Sequence, residues 1–368
     1  MTDAIVKAIS FLTFIIIGFL LKKKFAHKDE INGIKKIILL LALPATIFIA
    51  LLKINLNVSL LLLPLIAIAF NIFLFLVTPT LLLILGITDK KIINTSKILI
   101  PSLAPGLSCF PLILEFLGEP YLAKAAMADL GNKFFVLFIL YLLAIKWHYN
   151  NNPAKPEPIL IKLKSLAKVI LFEPVNIFIL VALLFVFSGI SMVNLPLFIQ
   201  DVLNRLSEMM TPLVLLFIGL AVSIKKKQFM EIFSLLMLRY GLTLFVIGCI
   251  ISILSIPLEK DILFIISFAL SACSFWPFAH ISSIAHKEKD LPSDRKTFDV
   301  DFALSILALS LPLSTILILG ILMTGNTFAY FGNVLMLSFF IMFLGIATPL
   351  YKWAKKGAQI KKKFSQIE

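Results

Sequence analysis

The sequence is poor in charged residues, in cysteine and in glycine. Only 15% of its 368 residues are charged, whereas about a quarter would be in a soluble domain. The three cysteines all lie within apolar runs, so they offer neither a disulfide framework nor the spacing of a zinc site. Glycine occurs 15 times without a three-residue period. These absences exclude a soluble domain, a disulfide-stabilised domain and a collagen-like chain.

Hydrophobic residues, by contrast, make up 60% of the chain and stand in long continuous runs. Intrinsic disorder requires low hydrophobicity, so it is excluded. An outer-membrane barrel would alternate apolar and polar residues, which these runs do not. The class that remains is an all-α polytopic membrane protein, and we expect it in the cell (inner) membrane.

Eleven runs have about the 20 apolar residues that a helix needs to cross a bilayer. They cover residues 5–21, 37–52, 58–86, 98–117, 121–145, 174–190, 205–223, 230–256, 261–285, 299–323 and 328–351. The first run ends in lysines without a small-residue cleavage site, so we expect a retained helix and no signal peptide.

Basic residues indicate the orientation of these spans. The 34 Lys and Arg residues exceed the 20 Asp and Glu, for a formal net charge of +14, and they concentrate in every second connection. The first of these basic connections runs from Lys22 to Lys36. Such loops lie in the cytoplasm, so we expect the N-terminus outside and the C-terminus in the cytoplasm. The charge then indicates contact with membrane lipid and gives no reason to expect a nucleic-acid partner.

Two proline landmarks recur at nearly the same separation. Pro44 in the second span and Pro212 in the seventh are 168 residues apart (212 − 44), and Pro111 and Pro277 of the fourth and ninth spans are 166 apart (277 − 111). The interval contains five spans, an odd number, so a second copy would run in the opposite direction. Inverted repeats of this kind are typical of secondary transporters.

This repeat predicts the organisation of the chain as two inverted five-helix repeats with one extra helix. The first repeat covers residues 1–147 and the second covers 173–323. The polar, proline-rich segment after the fifth span predicts a cytoplasmic linker over 148–172. Residues 324–368 would form the eleventh span and a basic cytoplasmic tail. Two roles are open for that span, an accessory helix or a helix that forms a homodimer.

The fourth span is interrupted by proline and glycine. Pro105 and Gly106 should open the helix, because proline removes a donor and clashes with the preceding turn. Unwound backbone inside a membrane protein is tolerated where it packs in protein or lines a cavity. A half-helix N-terminus freed there would suit an anionic group, with Ser108 and Pro111 nearby. The alternative is a proline kink that only shapes packing.

The ninth span carries a similar break, which the sequence predicts at Pro277. Ser274 and His280 flank that proline. An ionisable residue within a membrane span is a candidate for substrate or coupling-ion binding. The alternative for His280 is a buried ring hydrogen-bonded to a backbone carbonyl.

Five further polar residues lie inside predicted spans. Asp129 and Lys133 are four residues apart, so they share a helix face and can pair, with Asn132 beside them. Asp129 is either a carboxylate that takes up a coupling proton or sodium, or half of a neutralising pair. Lys133 and Arg239 are candidate counter-charges for an anion, although Arg239 would alternatively pair with a carboxylate such as Glu231 or Asp129. Asn71 is expected to join helices.

Motifs for enzyme chemistry are scarce. The sequence contains neither GxxxxGK[ST] nor HExxH, so neither a P-loop ATPase nor a zincin is indicated. Gly106-Leu107-Ser108-Cys109 together with His280 is a weak match to an intramembrane serine protease, of a kind common by chance. We expect a protein that is not an enzyme and needs no cofactor.

Three stretches resemble the auxin efflux carrier family in its bacterial permease branch, within the superfamily of bile, arsenite and riboflavin transporters. They are GFLLKKKFAHKDEINGIKKIILLLALPATIFIALL, CFPLILEFLGEPYLAKAAMADLGNKFFVLF, and LFEPVNIFILVALLFVFSGI followed by TPLVLLFIGLAVS. The resemblance implies two inverted five-helix repeats whose fourth and ninth helices are broken and cross at prolines. It implies a substrate site at that crossover, at Pro105, Gly106, Pro111 and Pro277.

The sequence departs from the family pattern at two positions before Pro111. Ala104 stands where the family usually has asparagine, and Cys109 stands where it usually has glycine. The resemblance implies a secondary active transporter that carries small organic anions by alternating access. Asp129 or His280 would then bind the coupling ion, a proton or sodium. The alternatives are a sodium-coupled symporter of the bile-acid type and, in another class, a transport-inactive membrane receptor or scaffold.

Overall fold

The computed structural model describes residues 3–25, 27–53, 58–151, 159–221, 228–254, 258–292 and 295–364. Every regular element in these ranges is helical. Six helices are long and apolar enough to cross a bilayer. They are Asp29–Leu52, Leu60–Ile84, Glu119–Asn151, Leu197–Ala221, Phe229–Leu254 and Val300–Met323, and the shorter apolar helices are Ile5–Leu21, Pro174–Phe187 and Phe331–Ala347. The predicted all-α membrane class is therefore confirmed.

The described residues of the first part of the chain, up to 151, form nine helices. They are α1 (Asp3–Leu21), α2 (Lys28–Ile37), α3 (Leu43–Leu52), α4 (Val58–Ile84), α5 (Lys90–Leu99), α6 (Pro105–Ser108), α7 (Phe110–Phe116), α8 (Glu119–Phe134) and α9 (Leu140–Asn151). Two π-helical segments, Ile38–Ala42 and Phe135–Ile139, join α2 to α3 and α8 to α9 without a break. As a result, the second half of the predicted basic loop is helical and forms α2.

In the second part, the ranges that the structure describes from residue 159 onward also form nine helices. They are α10 (Ile159–Phe172), α11 (Pro174–Phe187), α12 (Leu197–Glu208), α13 (Met210–Ala221), α14 (Phe229–Leu254), α15 (Glu259–Ala269), α16 (Phe275–Lys287), α17 (Val300–Met323) and α18 (Phe331–Phe364). The predicted linker over 148–172 is thus helical at both ends, within α9 and α10. Its residues 152–158 lie outside the described residues.

Two bundles can be distinguished by how the helices pack. Helices α1, α2, α3, α11, α12 and α13 pack together, and we call them the small bundle. Helices α4 to α9 and α14 to α17 form the large bundle. Helix α18 packs along α14 at the edge of the large bundle, where the Ser338 hydroxyl donates to the Gly241 carbonyl at 2.9 Å.

Glycine allows the closest approach within the small bundle, where α1 crosses α13. A Cβ atom built on Gly18 would lie 2.2 Å from the Leu216 carbonyl oxygen, and one on Gly219 would lie 2.1 Å from that of Ile15. The two backbones therefore touch, as small residues permit between helices in membranes. Any side chain at Gly219 would push α1 and α13 apart.

We expect Gly219→Ala to lower the thermal unfolding temperature of the purified protein in detergent. Forcing extra atoms into a packed contact costs about 1–3 kcal/mol. Gly320→Ala is the matched control, because a Cβ atom at Gly320 meets no neighbour within 4 Å and alanine favours helix. Equal unfolding temperatures for the two variants would contradict the backbone contact between α1 and α13.

Candidate functional site

Both predicted helix breaks are present. The first separates α5 from α6, and residues 102–104 between them are non-helical. The second separates α15 from α16 over residues 270–274, ahead of the predicted position at Pro277. Pro277 instead lies in the first turn of α16, and Pro111 lies in the first turn of α7. Proline is tolerated there because the first backbone N–H groups of a helix have no partner in the helix.

The two breaks are hydrogen-bonded directly to each other. The Ala104 N–H donates to the Ala272 carbonyl at 2.8 Å. The Ala272 N–H donates to the Ser108 hydroxyl oxygen at 3.0 Å, and the Ser274 N–H donates to that of Ser102 at 3.0 Å. Ser108 also donates to the Ala104 carbonyl. The Ser108 hydroxyl was predicted to face a ligand, but it instead links the backbones of the two breaks. We call the place where the two breaks meet the crossing.

Asn132 on α8 stabilises the first break by hydrogen bonds to its backbone. Its side-chain oxygen accepts from the Leu103 N–H at 3.1 Å, and its side-chain nitrogen donates to the Leu103 carbonyl at 2.9 Å. The same amide donates to Asp129 Oδ1 at 2.8 Å and accepts from Asn71 at 3.0 Å. Asn71 therefore joins helices, as the sequence predicted. A single buried amide satisfies both backbone groups of the unwound Leu103.

Arg239 on α14 supports the second break. It is fully buried, and its Nη2 donates to the Ser271 carbonyl at 3.0 Å, just beyond the last residue of α15. A cation here interacts favourably with the negative end of the helix dipole. Among the described residues, Arg239 has no carboxylate within ion-pair distance and does not line the cavity. The predicted pairing with a carboxylate such as Glu231 or Asp129 is therefore wrong.

Serine side chains of α17 complete the second break. The Ser310 hydroxyl oxygen accepts from the Cys273 N–H at 3.2 Å, and the Ser314 hydroxyl donates to the Leu270 carbonyl at 2.7 Å. The Tyr240 hydroxyl donates to the Ser310 carbonyl at 3.1 Å. The sequence analysis missed these serines, whose only signal was a pair of hydroxyls four residues apart within an apolar run.

A cavity of about 370 Å³ lies against the crossing, between the two bundles. Its volume falls within the usual range for small-molecule sites. The predicted residues that line it are Pro105, Gly106, Asp129, Asn132, Lys133 and Ser274. The predicted residues outside its lining are Ser108, Pro111, Arg239, Pro277 and His280. Most other lining residues are apolar, including Leu43, Val175 and Trp276.

Three charged side chains form a cluster in the wall of the cavity. Lys133 Nζ lies 2.9 Å from Glu173 Oε2 and 3.6 Å from Asp129 Oδ2, and it donates to Asn176 at 3.1 Å. The predicted pairing of Asp129 with Lys133 is thus present, but Glu173 is nearer. Sequence reasoning missed Glu173, which directly precedes α11. One cation lies between two carboxylates, so the cluster carries one surplus negative charge when all three groups are ionised.

Lys35 is the fourth charged group of the lining, and it was expected in a loop. It lies on α2 at intermediate exposure, with its Nζ 3.6 Å from the centroid of the Phe275 ring. Among the described residues, no carboxylate lies within ion-pair distance of its ammonium. A cation over an aromatic face is weakly stabilised and keeps its donors for another partner.

His280 lies behind the cavity wall. Its Nε2 is 3.3 Å from the Val136 carbonyl oxygen, and its ring packs edge-on to that of Tyr141 at 5.1 Å between centroids. The structure therefore matches the alternative of a buried histidine bonded to a backbone carbonyl. The geometry gives His280 no contact with a molecule in the cavity.

No protein-family model matches the chain, and no curated protein matches it. The resemblance to auxin efflux carriers therefore stays a prediction. Within the described ranges, no group of three or more His, Cys, Asp or Glu side chains is arranged to hold a metal ion. The crossing of the two breaks, the cavity and its charged residues are the features of the structure that bear on function.

We expect Asn132→Leu to destabilise the protein, because the Leu103 N–H and carbonyl would both lose their partner in a buried place. Each unsatisfied group costs about 1–3 kcal/mol. The thermal unfolding temperature should fall clearly below that of the control Asn150→Leu, a substitution of an exposed amide near the end of α9. An Asn132→Leu protein as stable as this control would show that Asn132 does not hold the break.

Proposed function

We propose that this protein is a secondary active transporter of small organic anions that works by alternating access around the crossing. The observation that carries the proposal is the cavity beside two helix breaks that are hydrogen-bonded to each other. Irregular backbone within a membrane protein is characteristic of sites that line a cavity. Broken helices that meet at such a site are characteristic of secondary transporters.

Contacts at the crossing support an inverted repeat. Ala104 and Ala272, whose backbones bond to each other, are 168 residues apart (272 − 104), which is also the separation of Pro44 and Pro212. Residues close to a two-fold axis contact their own equivalents. The packing of α1 on α13 has its counterpart in the packing of α11 on α3. We therefore propose two inverted five-helix repeats followed by α18, with eleven membrane spans in total.

Access to the cavity would change if the two bundles moved relative to each other. The small bundle contributes Lys35, Leu43 and Val175 to the lining, and the large bundle contributes the crossing and α8. In the proposed orientation Lys35 lies toward the cytoplasm, as does the end of α11 next to Glu173. The cavity then faces the cytoplasmic side, and its other side is closed.

Two ion pairs join the bundles at the proposed outer end. Lys7 Nζ on α1 lies 3.1 Å from Glu115 Oε1 on α7, and Lys53 Nζ, just after α3, lies 2.8 Å from Glu119 Oε1 on α8. All four side chains are partly exposed to solvent. Exposed pairs are individually weak. They would therefore hold the outer side closed without preventing it from opening.

Asp129 is the proposed site of the coupling proton. The Asp129–Lys133–Glu173 cluster carries one surplus negative charge, and a buried surplus charge is costly. Glu173 is nearer to Lys133, so Asp129 is the carboxylate less stabilised as an anion. A proton on Asp129 would remove the surplus and leave an ordinary ion pair.

Transport is tested with purified protein in liposomes by measuring uptake of labelled organic acids under a pH gradient or a sodium gradient. We expect the pH gradient to drive uptake. In Asp129→Asn, uptake should no longer respond to the pH gradient, but exchange of internal for external substrate should continue. Asp290→Asn, at an exposed position, should behave as the parent protein. Uptake that depends on sodium alone would favour the symporter of the bile-acid type, and the absence of all uptake would favour the receptor.

The outer ion pairs are tested by access to the cavity. In a chain with its three natural cysteines replaced by alanine, a cysteine at Ser274 should react with an impermeant maleimide added outside. We expect Glu115→Gln with Glu119→Gln to speed this reaction several-fold. The control is Asp201→Asn, which removes an exposed ion pair within α12. Equal labelling rates in all three proteins would contradict the proposed closure.

A further inference from the structure

Lys35 differs from Lys133 in what surrounds its charge. Lys133 is engaged by Glu173, Asp129 and Asn176. Lys35 lines the same cavity, and its ammonium lies against the face of the Phe275 ring, with no carboxylate of the described residues at ion-pair distance. Lys35 is therefore the cation of the cavity whose donors remain available to a bound molecule.

The charges of the cavity balance only when all of its ionisable lining residues are counted together. The lining contains two cations, Lys35 and Lys133, and two carboxylates, Asp129 and Glu173. With all four ionised, the empty cavity is neutral. Adding one monovalent anion makes it negative by one charge, and one proton on Asp129 restores neutrality. Net charge in a low-dielectric interior is costly, so the two neutral states are favoured.

Resting on the proposed function, we propose that Lys35 binds the carboxylate of a monocarboxylate with an apolar body, and that Asp129 takes up one proton with each anion, so that transport is electroneutral. The ammonium of Lys35 donates to the carboxylate oxygens. The proton comes from solvent and converts the Asp129 carboxylate to the neutral acid. No other bond forms or breaks.

The cavity favours a ligand with one carboxylate over a ligand with two. A second carboxylate on the ligand would have no free counter-charge, because the Lys133 ammonium is already ion-paired with Asp129 and Glu173. A buried charge without a partner is strongly disfavoured. The mostly apolar lining, with Trp276 and Val175, suits a hydrocarbon or aromatic body instead. A dicarboxylate of equal length should therefore bind more weakly.

Charged and polar groups of α8, of the start of α11 and of the junction of α6 and α7 face Asp129. Asn132 and Lys133 lie on the same helix, and Glu173 faces the cluster from the start of α11. The Cys109 thiol interacts with Asp129 from the junction of α6 and α7. Of these groups, Glu173 is the other carboxylate, and it makes the shorter contact with Lys133, at 2.9 Å.

Binding is measured by calorimetry on the purified protein with hexane-1-sulfonate, a monoanion that stays ionised across the usable pH range. We expect Lys35→Gln to weaken binding at least tenfold, as loss of a charged hydrogen bond does. Lys35→Arg should restore most of the affinity, and Lys36→Gln, at the exposed neighbouring lysine, should leave it unchanged. Hexane-1,6-disulfonate should bind at least tenfold more weakly than the monoanion.

The same titrations in two buffers of different ionisation enthalpy give the number of protons taken up. Because the ligand cannot be protonated, uptake of about one proton per bound anion must come from the protein, and Asp129→Asn should abolish it. Asp290→Asn should retain it. The proposal is overturned if the monoanion does not bind, if Lys35→Gln binds as the parent does, or if Asp129→Asn still takes up a proton.

Flux separates this inference from the proposed function. In liposomes, uptake of hexane-1-sulfonate should follow the pH gradient and should not change when a potassium diffusion potential is imposed. Uptake that follows the potential overturns electroneutrality alone. Binding with uptake of a proton, but without any flux, overturns the proposed transport and leaves the Lys35 site and its coupling to Asp129 standing.

Discussion

The need to satisfy backbone groups at the two helix breaks determines most of the interior. An apolar environment offers no water to an unpaired N–H or carbonyl, so each break requires partners from the protein. The breaks supply some partners to each other, through Ala104 and Ala272. Asn132 provides further hydrogen-bond partners for the backbone of the first break. Arg239 and the serines of α17 provide them for the backbone of the second break. The buried polar side chains of Asn132, Arg239, Ser310 and Ser314 are therefore located where those backbone groups need a partner.

This requirement also links the crossing to the charges of the cavity. Helix α8 carries Asn132, which holds the first break, together with Asp129 and Lys133, and Asn132 donates to Asp129 directly. Lys133 then reaches across to Glu173 in the small bundle. A change of charge at Asp129 would therefore act both on the amide that holds the break and on the ion pair that joins the bundles. In the proposed transporter, this connection relates protonation to the relative position of the bundles.

Sequence reasoning was successful where a feature depends on local spacing. Apolar run length predicted the helices, and the four-residue spacing of Asp129 and Lys133 predicted their pairing. It failed where distant segments meet. The approach of Glu173 to Lys133 depends on how α11 packs, and Lys35 enters the cavity only because α2 continues into α3 through a π-helical segment. Arg239 was assigned a carboxylate because residue types alone do not reveal the free carbonyl at the end of α15.

The ion pairs between the bundles differ on the two sides of the crossing. The pairs of Lys7 and Lys53 with glutamates are 36–45% exposed, whereas Lys133 is 9% exposed and has two carboxylates within reach. Exposed pairs exchange readily for water, but breaking a buried pair leaves an uncompensated charge. Breaking the buried pair is therefore the more costly change. In the proposed transporter, a proton on Asp129 and an anion at Lys35 would together preserve the neutrality of the cavity while the bundles rearrange.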